Sequence, residues 1–167
     1  MLIVVHSLLL GPYSNRRAPS VELLLADLRP DDAVLMLTAN PSSMWPMVED
    51  LGLAWPSSHF AFWMANAFHA ARADGAPLSG RLGALADEVR AQTVQDISCN
   101  PPRIILVDSF QRGLARGFDI LSFFEESREF RTLFAGYALS ETSGRFTSYR
   151  LSGPWTRPRP EDCRTIF

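Results

Sequence analysis

The chain has 167 residues, 18 acidic and 16 basic side chains, and a formal net charge of −2. That length suits one domain with one sizeable core. The balanced charge lacks the basic footprint of a nucleic-acid binder, so no nucleic-acid partner is expected. No run reaches the ~18 apolar residues of a membrane span.

Leu2–Leu10 is apolar but is broken by His6 and Ser7, and no basic residue precedes it. It makes a poor signal peptide and reads as a leading or edge strand, or as the remnant of a cut helix. Gly11-Pro12 and Ser14-Asn15 mark a loop. Pro19 fits the first turn of a helix. Val21, Leu24, Leu25 and Leu28 then give one apolar stripe, which Pro30 stops. Ala33–Thr38 is an unbroken apolar run, the mark of a strand buried on both faces. Met44–Leu51 is a short element holding Pro46 and ended by Gly52. Leu53–Trp55 reads as a brief strand.

Phe60–Arg72 has helical spacing, with Ser57 or Ser58 as cap and Asp74-Gly75 as stop. Ser79 caps the next helix. Its stripe runs from Leu78 through Leu82, Leu85, Val89, Thr93 and Ile97, with Arg81, Asp87 and Arg90 on the polar side. Asn100-Pro101-Pro102 ends it. Arg103–Asp108 follows as the second strand, Arg-Ile-Ile-Leu-Val-Asp. Asp119 caps Ile120–Glu126, and Ser127 caps a further turn with Phe130, Leu133 and Phe134. Tyr137–Glu141 and Arg145–Leu151 alternate like strands, with Ser143-Gly144 as a hairpin signal.

This order implies one α/β domain over residues 1–152 and an irregular tail from 153 to 167. The expected architecture is a three-layer α/β/α fold. Its sheet is mostly parallel, with helices on both faces and an antiparallel C-terminal hairpin at one edge.

Catalytic motifs are missing. Ser109 has no GxSxG elbow around it and no adjacent base. The histidines His6, His59 and His69 do not make a metal spacing such as HExxH, so no metal site is expected. Neither GxGxxG nor GxxxxGK[ST] is present, so no cofactor is expected. Glu125, Glu126 and Glu129 read as a solvated helix face. Cys99 and Cys163 fit either one disulfide in an oxidising compartment or two free thiols.

Open α/β sheets bind ligands at the carboxyl ends of their strands. That rule singles out Thr38, Asn40, Ser42, Asp108 and Ser109, with capping of loop amides as the alternative role for Asp108. Trp45, Trp55, Phe60, Phe62 and Trp63 crowd into nineteen residues. They form either core packing or an apolar lip that meets another domain, lipid or a glycan. Trp45, Trp55, His59 and Trp63 are the candidate interface residues.

Two stretches also resemble a known family. The first runs Ala33-Val-Leu-Met-Leu-Thr-Ala-Asn-Pro-Ser-Ser-Met-Trp-Pro-Met-Val, then Gly52-Leu-Ala-Trp55, then Trp63. The second runs Pro102-Arg-Ile-Ile-Leu-Val-Asp108, then Asp119-Ile-Leu-Ser-Phe-Phe, Phe130-Arg-Thr-Leu-Phe, Tyr137 and Gly144-Arg-Phe-Thr-Ser-Tyr-Arg150. Over roughly Ala33–Arg150 the chain resembles the soluble extracytoplasmic C-terminal domain of bacterial polytopic glycosyltransferases of the GT-C class, which use lipid-linked sugars. Where that family often has an arginine after the tryptophan, this chain has Pro56-Ser57-Ser58-His59.

The resemblance implies a non-catalytic accessory domain outside the cytoplasm, because the family's catalytic acids lie between membrane helices. Its partner would be the transmembrane part of the same protein and, through it, a carbohydrate or lipid-linked sugar. The rival expectation is a free-standing α/β enzyme or small-ligand binder in the cytoplasm, using the strand ends.

Overall fold

A computed structural model describes residues 18–40, 42, 44–72, 77–110, 117–156, 160, 161 and 163. Leu2–Leu10 with His6, the loop after it, the Asp74-Gly75 stop and Gly113 lie outside the described residues. The elements are α1 (Pro19–Leu25), β1 (Val34–Leu37), α2 (Trp45–Asp50), α3 (Ala65–Ala71), α4 (Gly80–Cys99), β2 (Ile104–Asp108), α5 (Ile120–Glu125), α6 (Arg128–Phe134), β3 (Tyr137–Ser143) and β4 (Phe146–Leu151).

Every residue of β1 and β2 is buried. Successive side chains of a strand point to opposite faces, and both strands divide accordingly. Leu35, Leu37, Ile105 and Val107 join Phe62, Phe68, Val89, Phe124 and Phe130 in one core. Val34, Met36, Ile104 and Leu106 join Val21, Leu24, Leu25, Met47 and Val48 in a second. A run without polar breaks is therefore a run with no wet face.

The four strands lie in the order β1-β2-β4-β3. β1 pairs parallel to β2. The expectation of a mostly parallel sheet is wrong, because β2 pairs antiparallel to β4 and β4 antiparallel to β3. An unbroken apolar run reports that both faces are covered and says nothing about the direction of the next strand. The expected hairpin does stand at an edge. Its turn is Gly144-Arg145, with Ser143 opposite Phe146 and Gly144 at φ 60°. Leu53–Trp55 contributes a single parallel bridge, Ala54 to Ala33, rather than a strand.

Local chemistry sets most helix ends. Pro19 opens α1. The Asp119 carboxylate accepts from the Ser122 amide at 3.0 Å, and the Ser127 hydroxyl accepts from the Phe130 amide at 3.2 Å, so α5 and α6 are capped where the sequence predicts. Ser79 holds the cap position of α4 without a side-chain bond. The helix expected from Phe60 begins only at Ala65. The Phe62 amide donates to the Thr38 carbonyl at 3.0 Å, which ties residues 60–64 to the end of β1. Ser57 and Ser58 do not cap it. Ser57 accepts from the His59 amide, and Ser58 bonds the buried Asp96 of α4 through its amide (2.6 Å) and hydroxyl (3.0 Å).

Arg90 departs from its expected place on the polar side of α4. It is 8% exposed. Its guanidinium lies 4.3 Å from the Phe123 ring centroid, and Nε donates to the Phe123 carbonyl at 2.9 Å. The same guanidinium reaches Asp87 and Glu126. Glu126 is also gripped by both terminal nitrogens of Arg72, at 2.6 and 2.8 Å. The acidic face is therefore partly an ion-pair network joining α3, α4 and α5. On the other face, Arg150 clamps the end of α1, donating to Asp27 at 2.7 and 2.9 Å and to the Leu24 carbonyl at 3.0 Å.

Cys99 and Cys163 form a disulfide across a sequence separation of 64, tying the tail to the end of α4. Closing a loop of that length removes about 4 kcal/mol of denatured-state entropy. Cys163→Ser is expected to lower unfolding stability by up to about 4 kcal/mol in urea titrations, matched by wild type under strong reductant. An unchanged midpoint would show the bridge to be inert.

The Arg72 and Arg90 guanidiniums hold the Glu126 carboxyl below its ordinary value, the Arg72 hydrogen bonds first. A lowered folded value stabilises above the unfolded pKa and is lost as pH falls through the folded one. Glu126 is partly exposed, so solvent screening keeps the pair modest. Glu126→Gln should cost about 1 kcal/mol near neutrality. The gap from wild type should narrow and close as pH falls through the lowered Glu126 value, read by denaturant midpoints at several acidic pH values.

Candidate functional site

The strand-end rule does gather its five residues at one end of the sheet. β1 and β2 run parallel in register, Leu37 opposite Val107, so Thr38 and Asp108 emerge side by side. The Thr38 hydroxyl donates to Asp108 Oδ2 at 3.0 Å. The Asn40 amide donates back to the Thr38 hydroxyl at 3.0 Å, and the Ser42 amide to Asn40 Oδ1 at 3.1 Å. Asp108 Oδ1 accepts from the Phe110 amide at 3.0 Å.

The residue missed from sequence is Arg145. Antiparallel pairing puts Phe146 opposite Asp108, so the hairpin turn lies over the carboxyl end of β2. From there Arg145 Nε meets Asp108 Oδ1 at 3.1 Å. Its guanidinium also lies 4.8 Å from the Phe146 ring centroid. The Ser109 amide (2.9 Å) and hydroxyl (2.8 Å) both donate to the Arg145 carbonyl. A parallel sheet would have kept residue 145 elsewhere, and the turn signal at Ser143-Gly144 carries no hint of this pairing.

Chemically this is a closed knot. Thr38 and Asp108 are each 1% exposed. Both Asp108 oxygens accept hydrogen bonds, and the Ser109 hydroxyl is spent on a carbonyl. A nucleophilic serine needs a base within hydrogen-bond reach, and Ser109 has a carbonyl there instead. No cluster of three or more His, Cys, Asp or Glu fit to hold a metal occurs among the described residues.

The candidate interface residues separate into two kinds. Trp45 packs edge-on against Trp55 (centroids 6.1 Å) and Phe60 (4.4 Å). Trp55 Nε1 donates to the His59 carbonyl at 3.2 Å, and the His59 ring stacks on Phe62 at 5.6 Å. These three are half-buried. Trp63 is 61% exposed, and Phe60, three residues earlier in the chain, is exposed as well. His69 lies edge-on to Phe118 at 6.1 Å, as a packed histidine does.

Fold and site together define a mixed α/β domain that carries an ion-paired polar knot at the carboxyl ends of β1 and β2. Comparison with models of known protein families, with curated proteins and with solved structures finds no match to this chain.

The knot makes a testable contrast. Asp108→Ala leaves a buried hydroxyl and a guanidinium without their acceptor and is expected to cost about 3 kcal/mol. Ser109→Ala, at an exposed position, should cost under about 1 kcal/mol. Equal losses in denaturant unfolding would contradict a structural role for Asp108.

Proposed function

We propose that this chain is a non-catalytic extracytoplasmic accessory domain of a membrane glycosyltransferase-like protein. In this reading it sits on the periplasmic face of the bacterial inner membrane. It rests on the transmembrane part through the aromatic loop of Trp45, Trp55, His59 and Trp63, and helps to shape the site where a lipid-linked sugar or its acceptor is held. The burial of alternate strand residues in two separate cores supports a three-layer α/β/α arrangement for it.

The observation that carries the reading is the exposed Trp63, with a second exposed aromatic, Phe60, three residues earlier in the chain. Core packing would hide so large an apolar surface, whereas Trp is favoured where an apolar partner meets water. The Cys99–Cys163 bridge supports an oxidising compartment. The sealed Asp108 knot supports a domain without chemistry of its own. No helix among the described residues is long and apolar enough to cross a membrane, so the anchoring part would be other sequence.

Two measurements on the natural gene product in cells test this. Alkylation before and after reduction should find both cysteines oxidised, and protease added to spheroplasts should digest the domain. Trp63→Ser should loosen its packing on the membrane part, read as faster proteolytic release of the domain, without lowering its unfolding midpoint. Free thiols together with protease protection would overturn the reading.

A further inference from the structure

The Asp108 knot stands at the carboxyl ends of β1 and β2, and the residues before both strands lie at the opposite end of the sheet. There a cleft of about 350 Å³ is lined by Asp31, Asp32, Trp55, Asn100, Pro101 and Arg103, among others. Its volume is at the small end of the range for small-molecule sites, about 300–1,000 Å³.

The floor is rigid backbone. The Asp31 amide donates to Gly52 (2.8 Å), Ala54 to Asp32 (3.0 Å) and Arg103 to Ala33 (2.8 Å). The Cys99 end of one wall is bolted by the disulfide. The Trp55 ring is held by its Nε1 bond to His59 and by edge-on packing against Trp45, and the half-buried side chain borders the cleft. Asp32 accepts from the Arg29 amide at 2.8 Å and from Arg103 at 3.3 Å. That long contact leaves most of the half-exposed Arg103 guanidinium for other acceptors. The Asp31 carboxylate is exposed at the rim.

We propose that this cleft binds a single neutral hexopyranose unit. A pyranose has one apolar face and a rim of hydroxyls. Trp55 and Pro101 match the face, while Asp31 accepts from hydroxyls and Asn100 and Arg103 donate to them. Two carboxylates against one guanidinium leave the cleft net negative, which disfavours phosphorylated sugars and uronates. A second cleft among the described residues, about 390 Å³, is lined by Arg90 and Glu126 among others, which are already paired with each other. This assignment stands on the cleft alone and does not depend on the membrane reading.

The test is titration of the 167-residue chain with methyl α-glucopyranoside and methyl α-mannopyranoside, followed by amide and indole resonances. The Trp55 indole and the Asn100 side-chain amide should shift, with a dissociation constant of roughly 1–50 mM. Asp31→Asn keeps a residue type that tolerates the positive φ of 70° at this position. It should weaken binding by about fivefold, the effect of losing one charged acceptor. Glucuronate should bind more weakly than either methyl hexoside. Three results would overturn the proposal: no shift at about 100 mM sugar, shifts mapping away from Trp55 and Asn100, or tighter binding of glucuronate. If Asp31→Asn is unstable, the wild-type map and the uronate comparison still decide.

Discussion

The structure depends on one constraint: β2 has no face and no edge turned to water. Its two faces are covered by separate cores, and its two edges are taken by β1 and β4. A strand so enclosed must place every backbone donor and acceptor on a neighbour, because an unpaired buried amide costs as much as a lost hydrogen bond. Both partners are therefore compelled. β1 arrives by a crossover that carries α2, α3 and α4. β4 arrives by doubling back from β3, and brings the turn residue Arg145 over the end of β2. The polar knot at Asp108 follows from that return.

Much of this is legible in the chain because it is encoded locally. β1 and β2 are apolar runs bounded by Pro and by polar residues. The α5 and α6 caps are single side chains acting three residues ahead, and the hairpin is a two-residue turn with Gly at its positive-φ position. What escaped is long-range. The direction of β4 relative to β2 is settled by which edge is left for the returning chain, a fact no window of residues contains. Arg90 was placed with the solvent face because arginine usually belongs there. Its burial needs Phe123 and Glu126, more than thirty residues away. The late start of α3 has the same origin: the apolar spacing from Phe60 is helical, but a bond from Phe62 to the end of β1 keeps the first residues out of the helix.

The site residues show how far the strand-end rule reaches. It located Thr38, Asn40, Ser42, Asp108 and Ser109 together, and they do meet. It could not say whether the meeting place would be open. Openness depended on Arg145, which arrives from a part of the chain that reads only as a turn. The rule points away from the amino ends, although Asp32 lies just before β1 and Arg103 just before β2.

The knot has one more consequence, for the pairing of strands during folding. A β-strand that slips by one residue turns all its side chains over. β4 is a weak guardian against such a slip, since only Phe146 and Ser148 of its six residues are buried. Asp108 supplies the missing discrimination. If the hairpin engaged one position early or late, Arg145 or Thr147 would stand opposite Asp108 in place of Phe146, and the two Ser109 bonds to the Arg145 carbonyl would be lost. The ion pair and the two Ser109 bonds thus favour the observed alignment of β4 on β2.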